Sequence, residues 1–143
     1  MSTQYLLDNS AWARLWFPAL PEERRAELAT AITERRMHAC LPFMLEAGYS
    51  ARSTDDYAGI RRTLGSLPFA AIEHPTEERA VELQGELVQT GHHRLPPVDV
   101  LIAAIAEHHG LTVLHVDKDF DVIRDRTSAR ISTEWLAPPT SFS

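Results

Sequence analysis

The stretch PVDVLIAAIAEHHGLTVLHV, residues 97–116, constrains the fold of this chain more than any other. Pro97 suits a first helical position, where its missing N–H costs nothing. From Val100 to Ala106 the segment is apolar on nearly every face, so a helix here must be buried over most of its surface. Gly110 supplies the left-handed conformation that ends a helix, and residues 112–116 then read as a buried strand. A buried helix feeding a buried strand calls for a layered α/β arrangement, and the rest of the chain repeats the alternation. Residues 4–8 (QYLLD) are expected to form a first strand, 9–16 a short helix stopped before Pro18, 21–36 a helix opened by Pro–Glu–Glu, and 37–41 a second strand. Pro42 starts a further helix that carries Glu46, and Ser53 with Asp56 gives residues 53–62 a capping-box start. Residues 68–72 (PFAAI) read as a third strand, 76–90 as a helix closed by Gly91, 119–124 as a helical turn and 130–136 as an edge strand. Strands separated by helices make βαβ units. The expected architecture is a three-layer α/β/α sandwich with a mostly parallel four- to five-stranded sheet.

The 143 residues suit one domain, read as 1–137 with a loosely ordered tail at 138–143. A domain of this size buries roughly two-thirds of its unfolded surface, enough for a core without staples. The lone cysteine, Cys40, excludes an internal disulfide framework and, in its apolar setting MHACL, reads as a small buried hydrophobe. No basic leader opens the chain, and no stretch reaches the roughly 18 apolar residues of a membrane span. The protein is therefore expected to be soluble and cytoplasmic. A net charge of −6 argues against nonspecific nucleic-acid binding, which rests on cationic surface, although it does not report local patches. Lys118 is the lone lysine among 14 basic residues. Arginine pairs at 24–25, 35–36 and 61–62 could grip phosphate with bidentate forks, but solvated helix faces pairing with Glu are the plainer account.

In parallel sheets, ligands bind outside the carboxyl ends of the strands. Asp8 closes the first strand, Glu46 lies in the helix leaving the second, and Asp117 and Asp119 follow the strand at 112–116. Asp99, in the first turn of the buried helix, faces the same edge if that helix starts there. Taken singly, each acid reads as a turn, a cap or a complement to a helix dipole. Together they pose an electrostatic problem. Two like charges about 5 Å apart repel by roughly 3 kcal/mol at an effective dielectric of about 20. Either some carboxyls are protonated or a cation sits among them. Hard oxygen donors suit Mg²⁺ or Mn²⁺ better than zinc, and carboxylates holding such ions can activate water against a phosphodiester. Asp121 reads as solvent-facing, and Phe120 as turned inward to anchor the loop.

Four of the seven histidines come as adjacent pairs, 92–93 and 108–109, a spacing that does not converge on one zinc ion. His92, His93 and Arg94, in the loop before the Asp99 helix, are better candidates for contacting a nucleic-acid backbone. Trp12 and Trp16 stand at i,i+4, a spacing for core packing or for a groove that takes a partner helix.

These pieces resemble the PIN-domain ribonucleases, and among them the VapC-type toxins of bacterial toxin–antitoxin pairs. The resemblance is carried by YLLDNSAW at 5–12, LPFMLEAGYS at 41–50, PPVDVLIAAIAEHHGLTVLHVDKDF at 96–120 and TEWLAP at 133–138. It implies that Asp8, Glu46, Asp99 and Asp117 form an acidic metal-binding quartet, with Asp119 as an additional ligand or supporting group and Ser10 orienting Asp8. Asn9 and His115 stand where threonine is commoner in the family, and neither departure removes a ligand. The implied activity is Mg²⁺-dependent (Mn²⁺ as substitute) endoribonuclease cleavage of RNA. The implied partners are a second copy of the chain and a VapB-type antitoxin in a groove beside the site, which the Trp12–Trp16 helix could line. DNA enters only through the antitoxin. The rival readings are a catalytically weak PIN-like module acting through antitoxin and operator complexes, and a phospho-acceptor receiver domain. Strand one supplies a single acid, and receivers usually have a pair there.

Overall fold

The computed structural model describes residues 2–92 and 94–142. Its strands are β1 (Tyr5–Leu7), β2 (Met37–His38), β3 (Thr112–His115) and β4 (Ser132–Trp135), all parallel, in the order β2-β1-β3-β4. Every residue of β1 is buried, as are Val113, Leu114 and His115 of β3. Successive strand side chains point to opposite faces, so strands buried throughout require cover on both sides. That cover comes from α1 (Asn9–Trp12), α2 (Glu22–Thr33), α3 (Leu41–Tyr49), α4 (Thr54–Gly65), α5 (His74–Gln89), α6 (Pro97–His109) and α7 (Asp119–Arg126). The α6 helix packs against α5, α3, α7 and β3, and Ile102 through Ala106 are all buried. Helices alternate with parallel strands in an α/β architecture, as expected. Among the described residues, no helix is long and apolar enough to cross a membrane.

Local chemistry ends the helices. Gly110 takes φ 67° just past α6, and Leu111 N–H closes back onto Ala106 at 2.9 Å. Gly91, at φ 80°, lets His92 N–H reach Leu87 at 2.7 Å after α5. After α2 the left-handed position falls to Arg35 (φ 57°), a residue with a Cβ, while Arg36 N–H bonds Ala31 at 2.8 Å. Ser53 caps α4 by accepting from Asp56 N–H at 3.0 Å, as the capping-box pattern predicts.

Two elements differ from expectation. Residues 68–72 form no strand; a single parallel bridge, Ala39 to Phe69, extends the sheet. Pro68 brings no N–H to a ladder, and its carbonyl instead accepts from Ala39 at 2.8 Å. The first helix stops at Trp12, because Leu15 N–H bonds three residues back to Trp12 and tightens the chain into turns before Pro18. In the tail, Pro139–Phe142 form a 3-10 turn that sets Phe142 edge-on to Phe17 at 5.9 Å. The arginine pairs mostly brace the fold. Arg24 joins Glu134, Glu27 and the carbonyls of Trp135 and Leu136, and Arg36 joins Glu34 and the Thr3 carbonyl.

Ile105, fully buried in α6, tests this packing. Ile105→Ala is expected to remove about 2–5 kcal/mol of unfolding free energy in urea titrations. Val81→Ala, on the exposed side of α5, should stay within about 0.5 kcal/mol.

Candidate metal centre

The site stands where β1 and β3 end side by side. Asp8 N–H bonds the Leu114 carbonyl at 3.1 Å, and Asp8 then caps α1, taking Ala11 and Trp12 N–H on its own carbonyl. Its Oδ2 accepts from the Ser10 backbone at 3.0 Å and from Ser10 Oγ at 2.5 Å. The same Ser10 Oγ accepts from Val116 N–H at 2.9 Å. One hydroxyl thus ties the end of β1 to the end of β3 and holds the Asp8 carboxylate, which is only 4% exposed. Burial raises the pKa of this carboxyl and the two Ser10 hydrogen bonds pull it back, with a smaller upward push from Asp117.

Beyond β3 the chain folds on itself. Asp117 Oδ1 accepts from Asp119 N–H at 2.9 Å, a turn that starts α7 and leaves both side chains half-buried. Phe120 next to them is fully buried, as expected. The α6 helix begins over the same edge, and its first turn brings Asp99 to them. One carboxylate oxygen from each of Asp99, Asp117 and Asp119 lies within 4.8 Å of the others. Asp99 is 7% exposed, and its Oδ2 is buried without a hydrogen-bond partner. Desolvation first, then the charges of Asp8, Asp117, Asp119 and Glu46, raise its pKa to about 8. Glu46, half-buried on α3, is raised by burial and by Asp8, and Asp119 by burial and by Asp117. An orphaned buried carboxylate oxygen among all-oxygen donors fits a hard divalent cation, which would satisfy that oxygen and offset the mutual repulsion.

The other sequence candidates fall at different distances from this cluster. Glu46 feels Asp8, but it lies outside the trio of converging oxygens. Ser10 is occupied by Asp8 and Val116. His92 bonds Thr90 through Nδ1 at 3.1 Å, and Arg94 is exposed with no ion pair among the described residues. His93 lies outside the described residues. The Trp12 ring packs edge-on to Phe43 at 6.1 Å, whereas Trp16 is 73% exposed. The apolar hollow beside the acids lies elsewhere: about 510 Å³, lined by Leu41, Leu45, Tyr49 and Leu101, with Glu46 and Asn9 in its wall. Cys40 is buried, its thiol pushed up to about 12 by desolvation, and is no nucleophile at neutral pH.

Asp121 corrects the sequence reading. It does not face open solvent: it accepts from Trp135 Nε1 at 2.9 Å and Thr133 Oγ1 at 3.2 Å, which ties α7 to β4. His115, noted from sequence only as a departure from threonine, is completely buried and accepts Asp117 N–H on Nδ1 at 3.0 Å. The alternation His115, Asp117, Asp119, Asp121 is visible in the sequence, but the partners of Asp121 come from β4.

Residues 5–126 match the PIN domain family. Ribonuclease VapC21 of Mycobacterium tuberculosis is 39% identical over 145 residues, covering 97% of this chain and 98% of that protein. Ribonuclease VapC2 of the same species is 38% identical over 145 residues, covering 96% and 97%. The crystal structure of DNA-bound VapBC from Salmonella typhimurium shares the fold, with a TM-score of 0.74 at 19% identity over 95% of this chain and 100% of that one.

Four carboxyls at this sheet edge, Asp8, Glu46, Asp99 and Asp119, have raised pKa values. Between the ordinary aspartate value of 3.8 and about 8, the folded chain holds more Asp99 protons than the unfolded chain. Stability therefore falls as pH rises through that window. Metal-free protein should lose melting temperature from about pH 4 to about pH 8, and a divalent cation should restore most at the alkaline end, where it replaces the protons. Asp99→Asn should flatten the fall; a fall as steep as in the unaltered protein would show that Asp99 is not its source.

Proposed function

The chain belongs to the PIN-domain family and to the VapC ribonucleases within it, and from that premise we propose that it is an endoribonuclease that cleaves RNA with Mg²⁺, or Mn²⁺ in its place, as the toxin of a toxin–antitoxin pair. The observation that carries this reading is the convergence of one oxygen each from Asp99, Asp117 and Asp119 within 4.8 Å of one another, in a site where Asp99 Oδ2 is buried without a hydrogen-bond partner. These three would hold the cation, with Asp8 beside them. A divalent ion there supplies the Lewis acidity that activates water and offsets charge on a phosphodiester. Ser10 keeps Asp8 aimed at the cluster through Oδ2. Glu46, half-buried and raised in pKa, is the base that orients the attacking water. His92, His93 and Arg94 are assigned to the rim that holds substrate phosphates. A VapB-type antitoxin is the proposed partner. The apolar hollow of about 510 Å³ that opens beside Glu46 offers its chain a seat next to the acids.

Purified full-length protein should cleave RNA in Mg²⁺ and lose the activity in chelator. Asp8→Asn and Asp99→Asn should each reduce cleavage by more than about a hundredfold while retaining a cooperative thermal transition, and Asp99→Asn should relieve growth arrest on induction. Cleavage at the unaltered rate by Asp99→Asn, with contaminating nuclease excluded, would sink the reading. Growth arrest by both proteins would favour action by binding alone.

A further inference from the structure

We infer that His115 is a positioning residue for the cation site: its imidazole accepts the Asp117 N–H and thereby sets the direction of the Asp117 carboxylate. The inference rests on the proposed cation-dependent reading and concerns a residue that touches neither substrate nor ion. His115 ends β3 and is 0% exposed. Its ring lies between Phe120, at 5.1 Å, and Trp135, at 4.9 Å. A polar ring in such surroundings is costly unless it is hydrogen-bonded. It makes one such bond, from Asp117 N–H to Nδ1 at 3.0 Å. Because Nδ1 accepts, the proton of the neutral ring sits on Nε2. Nε2 has no hydrogen-bond partner among the described residues, and Asp121 Oδ1 stands 3.9 Å from it.

The geometry of this bond explains why it acts on the site. Nδ1 is placed like the Oδ1 of an aspartate, so the bond to the N–H two residues on is equivalent to an Asx turn. The next step repeats it: Asp117 Oδ1 takes Asp119 N–H at 2.9 Å. Two consecutive turns of this kind bend the chain off β3 and deliver Asp117 and Asp119 to Asp99. Asp121, in α7 and held by Trp135 and Thr133 of β4, stands on the Nε2 side of the ring. A histidine that merely filled the core would need the volume and the aromatic neighbours. It would have no need of an acceptor aimed at the backbone of a site acid.

Two replacements separate these roles. His115→Asn keeps an acceptor at the δ position, and His115→Leu keeps the shape without it. In Mn²⁺ titrations followed by electron paramagnetic resonance, the leucine protein should bind the ion about 10–100-fold more weakly, and the asparagine protein should stay within about threefold of the unaltered chain. Leucine binding as tightly as the unaltered chain, or asparagine falling as far as leucine, overturns the inference. Asp99→Asn is the reference. Undiminished Mn²⁺ affinity in that protein overturns the cation reading itself, whereas loss there with no loss in His115→Leu overturns only the role of His115. A measurement on the unaltered protein decides if the variants do not fold: ¹⁵N spectra should show Nδ1 of His115 unprotonated and scalar-coupled to the Asp117 amide. An Nδ1–H tautomer overturns the inference.

Discussion

The parallel pairing of β1 with β3 determines where the acids can stand. Tyr5, Leu6 and Leu7 are in register with Thr112, Val113 and Leu114, so the two strands finish together and their next residues emerge at one edge. Asp8 N–H on the Leu114 carbonyl is the last rung of that ladder. Ser10 Oγ, between Asp8 Oδ2 and Val116 N–H, closes the gap above it. A slip of one residue would turn Asp8 to the other face and separate the hydroxyl from one of its partners. The register is protected because every side chain of β1 is buried, so the slip would also misplace the core.

On this frame the chain accumulates like charge, and the acids are not equally provided for. Asp8 and Asp99 are both nearly inaccessible. Asp8 has two donors from Ser10 that favour its ionised form. Asp99 Oδ2 has none, and desolvation outweighs every neighbouring charge in raising its pKa to about 8. Only a proton or a cation can satisfy such a group. The buried face of α6 therefore does two things: Ile102 through Ile105 anchor the helix, and that anchorage holds Asp99 where water cannot solvate it. The stability supplied by the apolar part sustains the electrostatic cost at the helix end, a local conflict of the kind that marks functional sites.

Much of this was legible in the sequence because it depends on local signals. The α6–β3 unit follows from an all-round apolar helix, a glycine stop and a β-branched run. Asp8, Asp99 and Asp117 follow from their places at element ends. What could not be read depended on non-local partners. PFAAI has strand composition, yet Pro68 and the single bridge from Ala39 leave it outside the sheet. Trp12 and Trp16 keep helical spacing, but the chain tightens after Trp12 and only the first reaches Phe43. Asp121 looked solvent-facing because its main partner, Trp135, arrives from β4 fourteen residues later. The apolar hollow beside Glu46 likewise combines α3 with the first turns of α6, which no single stretch could reveal.

The segment from His115 to Asp121 gathers these constraints into seven residues. Two of its alternate positions, Asp117 and Asp119, contribute oxygens to the cluster, while His115 accepts the Asp117 N–H and Asp121 ties α7 to β4. An acceptor at position 115 must capture the Asp117 N–H to form the turn. Aspartate could do so by the same geometry, but it would add a buried carboxylate to a site whose acids already raise one another's pKa. A hydroxyl is shorter and would leave unfilled the space between Phe120 and Trp135 that the imidazole occupies. A neutral imidazole combines the acceptor, the volume and the absence of charge. Of the four alternating residues, it is the one that can lie wholly inside the core without deepening the repulsion at the sheet edge.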